Sequence, residues 1–125
     1  GAINSSLSKD QVAPFSNFGS VNVDVFAPGS NIWSSVPNEK YEFYSGTSMA
    51  APNTSGVAAV IRSFFPKLKA YQVKHIIMNS GVPLYPTLKN PKTGELVNPK
   101  TLSISGKAVN LYNALIYCSN KSYKK

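Results

Sequence analysis

Histidine, cysteine and acidic side chains are all scarce in these 125 residues, which hold one histidine, one cysteine and five aspartates or glutamates. The single cysteine, Cys118, excludes a disulfide framework and a zinc site of spaced cysteines, and leaves the redox compartment open. No apolar run approaches about 18 residues and no charged-then-apolar leader opens the sequence, so neither a membrane span nor a signal peptide is expected in it. Arginine is nearly absent as well. All but one of the 13 cations are lysine, spread singly, whereas nucleic-acid modules gather arginine and aromatics on one face. No specific nucleic-acid partner is therefore expected. Internal repeats and a long linker are also missing, which leaves one domain of ordinary size.

What is present is unevenly distributed. The net charge is +8, with 42% hydrophobic and only 14% charged residues, fewer charges than a typical soluble domain carries. From Lys67 onward ten lysines face Glu95 alone, a net +9, while the first 66 residues carry three cations and four acids, a net −1. Solvated lysines explain this; an anionic-surface role is the second reading, and a missing acidic partner that once balanced them a further one.

The first 20 residues are rich in Ser and Asn without a clean period. Phe15-Ser16-Asn17-Phe18-Gly19 reads as a turn with aromatic anchors. Val21, Val23 and Val25 alternate with Asn22 and Asp24, which predicts a strand stopped by the Ala27-Pro28-Gly29 turn. Further strand-like pieces at Ile32–Trp33 and Tyr41–Tyr44 are separated by a turn at Pro37-Asn38. From Thr47 to Phe65 the residues are small or apolar on nearly every face, the composition of a buried helix. Pro52 lies near its start, Gly56 permits close approach by a neighbour, and Pro66 ends it. A second, amphipathic helix fits residues 70–80, with Val73, Ile76, Ile77 and Ser80 on one face and Gly81 as its stop. Residues 83–105 predict an irregular hairpin, with a turn at 90–94 and a strand over Leu102–Ser105. Asn110 then caps a helix that carries Leu111, Ala114, Leu115 and Cys118 on one face, followed by a frayed lysine-rich tail.

One stretch invites chemistry: Tyr44-Ser45-Gly46-Thr47-Ser48-Met49-Ala50-Ala51-Pro52. It sets a serine in the first turn of a helix, straight after a glycine. First-turn N–H groups lack intrahelical partners and carry the positive end of the helix dipole, so an oxyanion forming beside them is stabilised. The Ser48 amide suits that donor role, its hydroxyl suits a nucleophile, and Gly46 lets a substrate approach closely. The plainer reading is that Thr47 or Ser48 caps the helix.

Longer matches bear on that choice. Ser45 to Pro52, followed by Ser55-Gly56-Val57-Ala58-Ala59-Val60-Ile61-Arg62, resembles the nucleophile helix of the subtilisin-like serine proteases, the subtilases. Upstream, residues 15–19 and Val23-Asp24-Val25-Phe26-Ala27-Pro28-Gly29 resemble the strand and loop preceding that helix. Downstream, residues 70–77 and 106–115 resemble the following helix and the closing segment. The resemblance implies an α/β fold: one partial domain over residues 1–125, the C-terminal portion of a parallel-sheet, three-layer catalytic domain. It implies Ser48 as nucleophile of a serine endopeptidase acting on peptide or protein substrates. Ser45, Gly46 and Thr47 line the substrate cleft, capping becoming an added role, and Met49 flanks the leaving group and is open to oxidation. No cofactor is implied. Calcium sites, common in the family, find no carboxylate cluster here. Secretion or a cell-envelope location follows family habit. Where many members have Pro-His-Val-Ala-Gly, this chain has Pro52-Asn53-Thr54-Ser55-Gly56. Asn53-Thr54-Ser55 also fits a glycosylation sequon, set aside because the helix is expected to be buried.

A serine needs a base and a group to orient that base. In the family both precede the serine in the chain, and no histidine lies before Ser48. His75 follows it, about 200° around its helix from Val73, so it is expected to face solvent. Asp10 and Asp24 have no histidine to orient. The expectation is a segment that carries the nucleophile without the acid, the base or a side-chain oxyanion donor, and is inactive alone. Its exposed apolar surface would pair with the missing N-terminal half or a second copy. The rival reading is a non-catalytic, subtilase-derived assembly module.

Overall fold

The computed structural model describes residues 1–121. The expected frayed lysine tail falls chiefly on residues 122–125, outside the described residues. In chain order the elements are β1 (Ala2–Ile3), β2 (Ala27–Pro28), β3 (Ile32–Val36), β4 (Lys40–Tyr44), α1 (Thr47–Phe64), α2 (Ala70–Ser80), β5 (Val82–Pro83), β6 (Leu88–Lys89), β7 (Leu96–Val97), α3 (Pro99–Leu102), β8 (Lys107–Ala108) and α4 (Leu111–Asn120). The chain is an α/β structure.

A parallel core organises it. β1 pairs with β2 in parallel, Ala2 opposite Ala27 and Ile3 opposite Pro28. Phe26, just before β2, forms a parallel bridge to Ala108 of β8. Parallel strands need long crossovers, and here the hairpin and α1–α3 fill the connection from β2 to β8. The expected strand over residues 21–25 and its Ala27-Pro28-Gly29 stop are corrected: the regular strand is Ala27–Pro28 itself. Residues 20–22 turn instead, and the carbonyls of Val23 and Asp24 accept from the N–H groups of Ile104 and Ser105 at 2.8 and 3.2 Å. The segment is thus paired, but without a regular ladder.

β3 and β4 form an antiparallel hairpin from Ile32 opposite Tyr44 to Val36 opposite Lys40. Pro37 enters its turn with fixed φ, and Asn38 and Glu39 adopt φ of 66° and 56° to reverse the chain. Trp33 and Phe43 pack across the strands with ring centroids 4.6 Å apart, on a face open to solvent. The hairpin predicted within residues 83–105 is present as β6 and β7, turning through Gly94 at φ 73°. The predicted strand over Leu102–Ser105 is not formed. Asn98 accepts a hydrogen bond from the Lys100 N–H and Pro99 takes the first helical position, so Leu102 closes the short helix α3.

The helices fall close to where the sequence places them. On α2 the buried residues are Val73, Ile76, Ile77 and Ser80, the face that the periodicity selects. Asn110 caps α4 by accepting from the Asn113 N–H at 2.8 Å, with Ala114 and Cys118 buried. These two helices close on the C-terminal half of α1 around Ile61, Phe65, Val73, Ile76, Ile77, Ala114 and Cys118. A second cluster joins Ile3, Val12, Phe26, Leu84, Leu88 and Leu102. A third is made only of alanines, Ala2, Ala13, Ala27 and Ala50, and brings the first turn of α1 close onto β1 and β2.

On α1 only Ala50 and Ile61 are buried. Its composition is that of a covered helix, yet these residues cover one side of it: Ala51, Pro52, Ser55, Gly56 and Ala59 are exposed. The close neighbour expected at Gly56 is not among the described residues, since a β-carbon there would meet nothing within 4 Å. Burial therefore does not argue against the Asn53 sequon; Asn53 is exposed, with its amide donating to the carbonyls of Pro28 and Met49.

Candidate active site

Gly29 sets the position of the Ser48 turn. Its N–H donates to the Ile3 carbonyl at 3.0 Å, and its own carbonyl accepts from the Gly46 N–H at 2.7 Å. A β-carbon on Gly29 would lie 2.7 Å from the Ala2 β-carbon, 2.7 Å from the Gly46 carbonyl oxygen and 3.1 Å from the Ala50 β-carbon. Only glycine allows the chain after β2 to run this close beneath α1. At the hairpin base, the Ser45 hydroxyl accepts from the Asn31 N–H at 2.8 Å. The turn is thus fixed from both sides before the helix begins.

Gly46 is the N-cap of α1 and is extended, at φ 161° and ψ 165°, with no side-chain cap. The expectation that Thr47 or Ser48 caps the helix is corrected: the Thr47 hydroxyl instead accepts from the Asn17 side-chain amide at 3.0 Å. The extended φ at Gly46 is open to any residue. An added β-carbon would meet only Met49 Sδ at 3.5 Å and Ser48 N at 3.7 Å, both ordinary contacts. The chain's own packing therefore does not demand glycine at this position.

Ser48 is exposed, Met49 half-buried. Both border a groove of about 310 Å³ between α1 and the hairpin, lined also by Ile32, Val36, Tyr44 and Pro52. Pro52 has no N–H to return to the Ser48 carbonyl, four residues earlier, so that carbonyl lacks its usual helical donor. Glu42, two residues along the strand, pushes the Tyr44 phenol above its ordinary value by charge and by hydrogen bonding.

Among the described residues no imidazole or carboxylate is hydrogen-bonded to the Ser48 hydroxyl. His75 lies exposed on α2 and faces Tyr117 of α4, with Nε2 and the phenol oxygen 3.5 Å apart. Asp24 pairs with Lys74 at 2.9 Å and Asp10 with Lys89 at 2.7 Å. The structure thus gathers Ser45, Gly46, Thr47, Ser48 and Met49 at one end of α1 and leaves every candidate base or acid elsewhere. Sequence reasoning passed over three residues that hold this turn, Asn17, Gly29 and Asn31. Asn17 and Gly29 lay in stretches already marked as turns, but their partners are distant in the sequence.

A protein-family model described as the subtilase family matches residues 1–107. Subtilisin-like protease 2 of Plasmodium falciparum is 37% identical over 94 residues, which span 70% of this chain and 7% of that protein. Subtilisin NAT of Bacillus subtilis subsp. natto is 47% identical over 74 residues, spanning 59% of this chain and 18% of that one. Among solved structures, the prenylagaramide maturation protease PagA superposes with a TM-score of 0.71 at 29% identity, covering 94% of this chain and 40% of its own. The chain therefore spans well under half the length of the relatives it matches, and its fold corresponds to part of theirs.

Proposed function

This chain belongs to the subtilase family, and we propose that it is the nucleophile-bearing portion of a serine endopeptidase domain. The observation that carries the reading is an exposed Ser48 in the uncapped first turn of α1, beside a groove wide enough for a peptide side chain. In the complete protein the Ser48 hydroxyl attacks a peptide carbonyl while a histidine from another segment takes its proton. The carbonyl oxygen, now negative, is stabilised by the Ser48 N–H and the positive end of α1. Collapse of the tetrahedral centre passes the proton to the leaving amine and leaves an ester on Ser48, which water hydrolyses. Ser45, Gly46, Thr47 and Met49 border the peptide in this reading, and a backbone passing close to Gly46 would account for a glycine that the chain's own contacts do not require. The exposed side of α1 is covered by the rest of the catalytic domain. A location outside the cell or in its envelope follows the habit of the family.

Among the described residues Ser48 has no base, so this segment by itself is inactive. The test is peptide hydrolysis by the complete domain with and without Ser48→Ala. Loss of the nucleophile is expected to cost about 10⁶-fold in kcat, the scale of triad removal. Hydrolysis that survives the substitution undiminished would sink the assignment.

A further inference from the structure

Asn17 stands 30 residues before Thr47, in the loop of residues 15–19, and its side chain is bonded to the residue immediately preceding Ser48. The loop is held firmly enough to make that contact directional. Ser16 is buried; its hydroxyl accepts from the Ala2 N–H at 2.7 Å and donates to the carbonyl of Asn17 at 2.8 Å. The Ser16 N–H donates to Ala13, and Ala13 donates back to Ala2. Asn17 is thereby anchored to β1, the strand that also holds Gly29 and, through it, Gly46.

The chemistry of the contact is asymmetric. A threonine hydroxyl has one proton to give and two lone pairs to receive with. The Asn17 amide fills one lone pair, which fixes the rotation of the Thr47 side chain and turns its proton away from Asn17. Thr47 is the first residue of a helix with no side-chain cap, so this bond ties the start of that turn to the loop anchored on β1, as the Asn53 amide, further along the helix, ties α1 to the Pro28 carbonyl of β2. We propose that Asn17 is a positioning residue for the Ser48 turn, acting through the Thr47 hydroxyl to hold the first turn of α1 in register with β1 and β2. This rests on the reading of Ser48 as the nucleophile.

The experiment is a double-mutant cycle in the complete catalytic domain, using Asn17→Ala, Thr47→Val and both together. Steady-state kcat and KM on one peptide substrate and the melting temperature are measured for each. Asn17→Ala is expected to lower kcat at least about tenfold, since displacement of a reacting group by a fraction of an ångström is that costly. KM should stay within about twofold and the melting temperature within a few degrees, as for one exposed hydrogen bond. In the Thr47→Val background Asn17→Ala should have no further effect on kcat, because the acceptor is already gone. Equal losses from Asn17→Ala in both backgrounds, or a parental kcat in Asn17→Ala, would overturn the proposal while leaving the nucleophile in place. A complete domain inactive with Asn17 intact overturns the nucleophile reading and this inference with it.

Discussion

Replacing Gly29 by alanine tests how the Ser48 turn is held. The new β-carbon would lie 2.7 Å from both the Ala2 β-carbon and the Gly46 carbonyl oxygen, and 3.1 Å from the Ala50 β-carbon. Nonbonded carbons are comfortable at about 3.5–4.0 Å, so the overlap approaches 1 Å. None of the three neighbours is the end of a flexible side chain. Relief must come from backbone movement that lengthens the Gly29–Ile3 and Gly46–Gly29 hydrogen bonds, now 3.0 and 2.7 Å. Overpacking costs about 1–3 kcal/mol, and weakening two backbone bonds adds up to about 1 kcal/mol. Against this, alanine restricts the unfolded chain and returns about 0.4–1 kcal/mol. A net loss of about 2 kcal/mol is expected. Followed by far-UV circular dichroism in urea, with a slope of about 2 kcal/mol per molar, the midpoint should fall by about 1 M. A midpoint unchanged within about 0.2 M would refute the claim that close approach at Gly29 sets the first turn of α1.

Three other substitutions probe separate parts of the account. Gly56→Ala, in the middle of α1 with nothing within 4 Å of the new β-carbon, should stabilise this chain by about 1 kcal/mol, and the same change in the complete domain should be neutral or harmful if another segment packs there. Ser80 is buried on α2 with an unpartnered hydroxyl among the described residues, so Ser80→Ala should stabilise by about 1 kcal/mol in urea titration; a loss of that size would mean the hydroxyl has a partner. Burial raises the Cys118 thiol above its ordinary value of 9.0, which favours the protonated form in the fold. The stability this confers is complete below about pH 9 and is lost as pH rises through the raised value, because the unfolded thiol ionises first. The stability gap between the parent and Cys118→Ala should therefore narrow from pH 7 to pH 10, and a constant gap would contradict the shift.

The helices were readable because each carries its own signal. On α2 the spacing of Val73, Ile76, Ile77 and Ser80 selects the buried face, and at α4 Asn110 supplies its own cap. Strands of two residues have no such signal: Ala2–Ile3 and Ala27–Pro28 are strands only because they pair with each other across 25 positions. Alternation at 21–25 and 102–105 misled for a related reason. In the first case a turn at residues 20–22 delays the pairing, and in the second Asn98 and Pro99 start a helix that overrides it. The nucleophile candidate was legible in Ser45 to Pro52 because its setting is local. Its supports were not, since Asn17, Gly29 and Asn31 act on residues 14 to 30 positions away. The apolar composition of α1 points to a covered helix, and the exposure of its outer side shows how much of that cover these residues do not themselves supply.

The central claim is that Ser48 is a nucleophile whose base lies on another segment of polypeptide. It is tested most directly by the intact mass of this 125-residue chain after exposure to a fluorophosphonate, first alone and then with the remainder of the catalytic domain supplied. No adduct on the chain alone, and one adduct mapping to Ser48 once the domain is complete, is the expected result. Rapid labelling of Ser48 in the isolated chain, or none after completion, would contradict it.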